Sequence, residues 1–160
     1  MISEPLQRLL VEQVGSELTA HQAYMGISIY FERQTLKRWA RLFRDQAVEE
    51  AGHAQKIIDF LLDNEVDFDV PATRGATTHY ESAAGAVNAA LDSELRVTGQ
   101  FDAMAVAAQS AGDHRGFQFL QWFIDEQVEE ERTMRGLLDL IASGVNLFQA
   151  EPLLDGLAGE

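Results

Sequence analysis

The chain has 160 residues, 46% of them hydrophobic, and carries a formal net charge of -14 with no cysteine. This size predicts one globular domain over residues 1–160, and the lack of cysteine excludes disulfides, thiolate metal sites and cysteine nucleophiles. The negative charge repels phosphate groups, and the sequence has neither a secretory signal pattern nor a long apolar stretch, so we expect a cytoplasmic protein that binds neither nucleic acid nor membrane.

Two long amphipathic helices are predicted at the start of the chain. The first spans about residues 4–33, and its apolar stripe is interrupted by Gln13 and Glu17. The second spans about residues 37–64, and its stripe is interrupted by Glu50. Because the break between the two helices is short, we expect them to be antiparallel neighbours.

A long connection and a third helix follow. The helical period is lost over residues 65–80, which contain Pro71 and Gly75. In a four-helix bundle, one crossover of this length allows the second and third helices to run parallel. The third helix is predicted over about residues 81–111, and Glu94 interrupts its apolar stripe.

The last part of the chain predicts a fourth long helix and a short fifth one. A glycine and an aspartate at positions 112–113 supply a helix stop and an N-cap, and the fourth helix then runs to about residue 143. Its inward stripe contains Gln127 and Glu130. A short helix is predicted over about residues 146–157. No pair of strands is recognisable, so the fold class is all-α, with the bundle over about residues 4–143.

Each of the four long helices places at least one carboxylate in the middle of its apolar stripe. Burying four ionised carboxylates is costly unless cations balance them, and two divalent metal ions would do so. His53 lies three residues after Glu50 on the same helical face, which adds an imidazole ligand and favours iron or manganese. The alternative is that some of these glutamates lie on a solvated face, because a helical register drifts over thirty residues. The four carboxylates are Glu17, Glu50, Glu94 and Glu130.

Several blocks of the sequence, taken together and in order, resemble the bacterial non-haem ferritins. They are Glu17 with Tyr24, the block QAVEEAGHA, Glu94, the block FLQWFIDEQVEEE, and the GVNLF turn. The resemblance extends over nearly the whole chain. It implies an all-α, ferritin-like four-helix bundle with a long crossover between the second and third helices and a short fifth helix at the C-terminus.

The resemblance also implies a ferroxidase centre inside each subunit. Glu17, Glu50 and His53 would hold the first iron, with Glu50 bridging to the second. Glu94 and Glu130 would hold the second iron, with Gln127 close by and Tyr24 beside the pair. The acidic residues of an adjacent third iron site would be Glu49, Glu126 and Glu129, for which a solvated acidic face is the alternative.

Two departures from related proteins refine this expectation. Gln127 stands where haem-containing bacterioferritins and rubrerythrin-like enzymes have the glutamate of a second Glu-x-x-His motif, so the centre is expected to be asymmetric. Ala51 stands where bacterioferritins have a haem-binding methionine, so we expect no haem. Among the remaining histidines, His21 is expected not to bind metal, and His79 and His114 are expected to be solvated.

The implied function is iron storage and detoxification. Fe(II) would be oxidised by oxygen or peroxide, and ferric mineral would be deposited inside a hollow homo-oligomeric shell of twenty-four subunits. Two other functions remain open at this point. One is a di-iron oxidoreductase that consumes peroxide and stores nothing, and the other is a helical scaffold without catalytic activity.

Overall fold

The computed structural model describes residues 1–158. Its elements are α1 (Glu4–Arg33), α2 (Lys37–Asp63), α3 (Ala83–Ser110), α4 (His114–Ala142), α5 (Leu147–Ala150) and a 3₁₀-helix (Glu151–Gly156). Within these residues there is no β-strand, and the predicted all-α class is confirmed. No helix among them is both long and apolar enough to cross a membrane.

The junction between α3 and α4 follows the predicted capping chemistry. Gly112 adopts a left-handed conformation with φ of 66°, which glycine tolerates because it has no β-carbon. The Asp113 side chain then accepts a hydrogen bond from the backbone N–H of Gly116 at 2.8 Å. At the start of α1, the N-cap residue Ser3 makes no side-chain capping bond. Its backbone N–H instead donates to Asp113 at 2.8 Å, which ties the two helix starts together.

The crossover between α2 and α3 runs along the surface of α1. A β-carbon added at Gly15 would meet Pro71, and one added at Gly26 would overlap the carbonyl oxygen of Thr77. The crossover therefore moves from the N-terminal half of α1 to its C-terminal half. It returns the chain to the end of the bundle at which α2 begins, so α2 and α3 run parallel, as predicted.

Helix α1 packs against α2 and α3, and α4 packs against α3. Buried apolar side chains form two separate clusters along the bundle, one toward each end. The largest buried side chains of the first cluster are Tyr24, Phe31, Trp39 and Phe43. Those of the second include Phe101 and Phe123. The layer between the two clusters is polar, and it contains the candidate site.

The C-terminal segment is less regular than a fifth helix over residues 146–157. Only one turn, α5, is α-helical, and the 3₁₀-helix follows at once because Pro152 cannot donate an intrahelical hydrogen bond. The segment docks on the start of α2. Trp39 Nε1 donates to the carbonyl of Leu147 at 3.0 Å, and Glu151 accepts from the backbone N–H of Arg38 at 2.9 Å. Glu151 thereby supplies the capping acceptor that Leu36, at the N-cap of α2, lacks.

Candidate metal centre

The first cluster of possible metal ligands joins α1 to α2. Its members are Glu17, Glu50 and His53, each of which offers one ligand atom within 4.8 Å of the others. His53 Nδ1 lies 3.3 Å from Glu50 Oε2 and 3.9 Å from Glu17 Oε2. All three side chains are buried. Two carboxylates and one imidazole in this arrangement suit a divalent transition metal.

A second cluster lies beside the first and shares Glu50 with it. Its members are Glu50, Glu94 and Glu130, again with ligand atoms within 4.8 Å of one another. The three glutamates come from α2, α3 and α4, and all three are buried. Because Glu50 belongs to both clusters, one carboxylate can bridge two neighbouring metal ions.

Glu94 is the most completely hydrogen-bonded of these carboxylates. Tyr24 donates its hydroxyl hydrogen to Glu94 Oε1. Gln127 Nε2 donates to Glu94 Oε2 at 3.0 Å and to the Glu94 carbonyl at 3.2 Å. The structure thus brings both predicted neighbours to the centre, where they orient Glu94, and the Gln127 amide nitrogen rather than its oxygen faces the carboxylate.

Three other buried carboxylate oxygens have no hydrogen-bond partner. They are Glu17 Oε2, Glu50 Oε1 and Glu130 Oε2. Ionised carboxylates are acceptors only, so these oxygens cannot satisfy one another. Leaving such atoms unpaired in a bundle interior is costly, and a bound cation would remove that cost. The donor set therefore fits a pair of divalent metal ions.

Burial and mutual repulsion shift the ionisation of the centre. Burial, followed by the negative charges of Glu94 and Glu17, raises the pKa of Glu50 well above its usual value. Burial and the neighbouring carboxylates also raise the pKa of Glu130, to about 9. For His53, burial favours the neutral ring, but the negative charges of Glu17, Glu130 and Glu126 outweigh it and the pKa is raised. The metal-free site therefore holds protons, and metal binding releases them.

A third cluster opens onto a groove of about 1100 Å³ between α2 and α4. Its members are His53, Glu126 and Glu130, with ligand atoms within 4.8 Å of one another. Of the residues expected here, Glu126 belongs to the cluster, while Glu49 and Glu129 line the same groove outside it. Glu129 is turned toward Arg132, with which it forms an ion pair at 2.8 Å.

Two neighbours of the centre were not among the predicted site residues. Gln13 is buried and donates from Nε2 to Glu17 Oε1 at 2.8 Å. The signal for it was present, because Gln13 and Glu17 are the two polar members of the same stripe and lie one turn apart. Trp122 packs edge-on against His53, with ring centroids 5.5 Å apart, and Lys56 Nζ lies over the Trp122 ring, 4.3 Å from its centroid.

The remaining histidines lie outside the three clusters. His21 Nδ1 is hydrogen-bonded to the carbonyl of Ala47, which joins α1 to α2. His79 is exposed in the crossover, where it contacts Arg33 at 3.2 Å. His114 is exposed at the first residue of α4. His79 and His114 are thus exposed to solvent, as expected, and the His21 ring is used in a contact between two helices.

Comparison with known proteins identifies the family. A sequence profile of the ferritin-like domain matches residues 7–143. Ferritin BfrB of Mycolicibacterium smegmatis is 38% identical over 144 residues, which cover 89% of this chain and 80% of that protein. The chain belongs to the ferritin family. A bacterial non-heme ferritin of Staphylococcus epidermidis is 30% identical to this ferritin over 141 residues, covering 88% and 85% of the two chains.

Comparison with solved structures supports the same family. A solved structure described as a humanized archaeal ferritin superimposes on this ferritin with a TM-score of 0.91, at 25% identity, covering 100% of this chain and 98% of that one. Family membership supports iron storage and metal binding as its general role. Ferritin-family homologues form cage-like homo-oligomers.

Proposed function

We propose that this ferritin is a ferroxidase that oxidises Fe(II) at a paired site inside each subunit and stores the product as ferric mineral. The observation that carries the proposal is the pair of clusters that share Glu50, together with three buried carboxylate oxygens that have no other partner. A scaffold that binds no metal would have no use for three carboxylate oxygens that are buried without a partner.

The assignment of residues follows the two clusters. Glu17, Glu50 and His53 bind the first Fe(II), and Glu50, Glu94 and Glu130 bind the second. Gln127 and Tyr24 hold Glu94 in place by the hydrogen bonds described above. His53, Glu126 and Glu130 form a third site toward the groove, and Glu49 and Glu129 add two further carboxylates to the lining of that groove.

Iron is the substrate of the proposed reaction. Each Fe(II) loses one electron, and the two electrons reduce O₂ to H₂O₂, or H₂O₂ to two molecules of water, with the uptake of two protons. An anionic shell of carboxylates stabilises Fe(III) more than Fe(II) because Fe(III) has the higher charge, so the shell contributes to the driving force of the oxidation. The groove between α2 and α4 is the open side of the centre and provides a path by which the ferric product leaves.

Storage requires a closed cavity, which one bundle cannot enclose. We propose that residues 1–160 form a single domain and that twenty-four copies assemble into a hollow shell, with no haem. The net charge of -14 per chain gives such a shell many acidic groups that attract Fe(II).

The first test is the rate of Fe(II) oxidation in Glu50→Ala. Glu50 belongs to both clusters, so its removal should reduce the initial rate by at least about 100-fold, whereas removal of an outer-shell partner typically costs 10- to 100-fold. Glu12→Ala is the matched control, because Glu12 is exposed on α1. Light scattering should show intact assemblies for both variants. Oxidation at the wild-type rate in Glu50→Ala would contradict the proposed centre.

The second test separates storage from peroxide consumption. The protein is loaded aerobically with several hundred Fe(II) per assembly, and the particles are imaged by electron microscopy without stain. A dense core inside each shell supports storage. Turnover of peroxide with no core would instead favour a di-iron oxidoreductase, and neither activity would favour a scaffold.

A further inference from the structure

Gln13 is a buried polar residue that the proposed reaction does not use directly. Its side chain is 2% exposed, and it lies one turn before Glu17 on the inward face of α1. Its Nε2 donates to Glu17 Oε1 at 2.8 Å, in a contact between two buried side chains. A glutamine in an apolar stripe is costly to bury, so this contact calls for an explanation.

The two oxygens of Glu17 have different environments. Oε1 accepts the hydrogen bond from Gln13, whereas Oε2 is buried, has no partner and faces His53 Nδ1 at 3.9 Å. Oε2 is therefore the oxygen directed into the first cluster. An oxygen that already accepts a hydrogen bond has one lone pair fewer for a metal ion, so Glu17 is set to bind a metal ion through Oε2 rather than through both oxygens.

We propose that Gln13 is a positioning residue that makes Glu17 a one-oxygen, terminal ligand of the first iron. This inference rests on the proposed function, because it concerns the same metal pair. It leaves Glu50 as the bridging carboxylate and keeps the first site at a low coordination number, with room for the oxidant.

An amide suits this task better than a cationic side chain. Gln13 orients Glu17 without cancelling its negative charge, so the charge remains available to the metal ion. A lysine or arginine at this position would form an ion pair with Glu17 and compete with the incoming cation. The helical spacing of four residues between Gln13 and Glu17 brings the two side chains onto one face without distortion of α1.

The test uses Co(II), which resists oxidation and whose visible absorption weakens as its coordination number rises. Gln13→Met keeps the length of the side chain and removes the donor. Gln100→Met is the matched control, because Gln100 Nε2 contacts Ser16 rather than a member of the clusters. Metal-free assemblies of wild type and variants are titrated with Co(II), and both the affinity and the absorption per bound ion are recorded.

We expect the first Co(II) to bind Gln13→Met about tenfold more weakly, because the released carboxylate is no longer held toward the site. We also expect weaker absorption per bound Co(II), because Glu17 can now bind through both oxygens. Gln100→Met should match wild type in both measurements. If Gln13→Met does not assemble, Gln13→Asn, whose amide is too short to reach Glu17 Oε1, should show the same two changes.

Two results would overturn the inference. The first leaves the proposed metal centre intact, and the second refutes it as well. Wild-type affinity and absorption in Gln13→Met, with loss of the first Co(II) in Glu17→Ala, would refute the role of Gln13 alone. Unchanged Co(II) binding in Glu17→Ala would show that the first cluster does not hold the metal, and would refute the proposed centre as well.

Discussion

Gln127 on α4 donates its amide hydrogen to Glu94 on α3, with Nε2 and Oε2 3.0 Å apart. In Gln127→Leu the buried carboxylate loses this donor and keeps only Tyr24, so we expect the free energy of unfolding of the metal-free protein to fall by about 1–3 kcal/mol. Urea unfolding measures the change. Gln121→Leu, at an exposed position on the same helix, should stay within about 0.5 kcal/mol of wild type. Equal stability of the two variants would show that the contact contributes nothing.

The ionisation of Glu130 predicts how stability depends on pH. Burial and neighbouring carboxylates raise the pKa of Glu130 in the folded protein from 4.5 to about 9. The folded state therefore binds a proton that the unfolded state releases, and this contribution to stability is complete below about pH 4.5 and is lost as the pH rises to about 9. We expect the Tm of metal-free protein to fall over this window.

Glu130→Gln is the variant that tests this assignment. A neutral amide cannot ionise, so the fall in Tm with increasing pH should become shallower in Glu130→Gln than in wild type. Glu12→Gln, at an exposed position, should keep the wild-type slope. A Glu130→Gln slope identical to that of wild type would assign the pH dependence to other groups.

Adjacent leucines in the C-terminal 3₁₀-helix have opposite environments. Leu154 is 2% exposed in the first apolar cluster, whereas Leu153 is 55% exposed. Leu154→Ala should lower the free energy of unfolding by about 2–5 kcal/mol, because it leaves a cavity in the core. Leu153→Ala should change it by no more than about 0.5 kcal/mol. Thermal unfolding compares the two, and similar losses in both would argue against the docked position of this segment.

The crossover imposes a steric limit on α1. A β-carbon at Gly26 would overlap the carbonyl oxygen of Thr77, whereas one at Gly99 on α3 meets no atom within 4 Å. Gly26→Ala should therefore destabilise the protein by about 1–3 kcal/mol through overpacking. Gly99→Ala should stabilise it by up to about 1 kcal/mol, because alanine favours the helix. Differential scanning calorimetry distinguishes these signs, and a stabilised Gly26→Ala would contradict the observed path of the crossover.

The sequence determined the four long helices, their order and the crossover. Apolar residues recur with the helical period, and Gly112 with Asp113 marks a helix end and a helix start, so local rules suffice for these features. The same period shows that each long helix carries a carboxylate on its inward face. The helical period is less informative about the structure of residues 146–157. This segment is only partly α-helical, and tertiary contacts of Trp39 and Glu151 hold it in place.

Only the tertiary structure decided how the polar side chains are used. Spacing along a helix places Glu17, Glu94 and Glu130 on inward faces, but their mutual distances depend on the rotation and axial position of each helix. Hydrogen bonds then decide which carboxylate oxygens are available to a metal ion, as the bond from Gln13 to Glu17 Oε1 leaves Glu17 Oε2 without a partner. The side-chain conformation of Glu129 turns it toward Arg132 and away from the cluster that contains Glu126. A contact within one helix, such as that of Gln13 with Glu17, fits the helical spacing. Which oxygens stay without a partner and which ligand atoms meet across helices depends on how the four helices pack together.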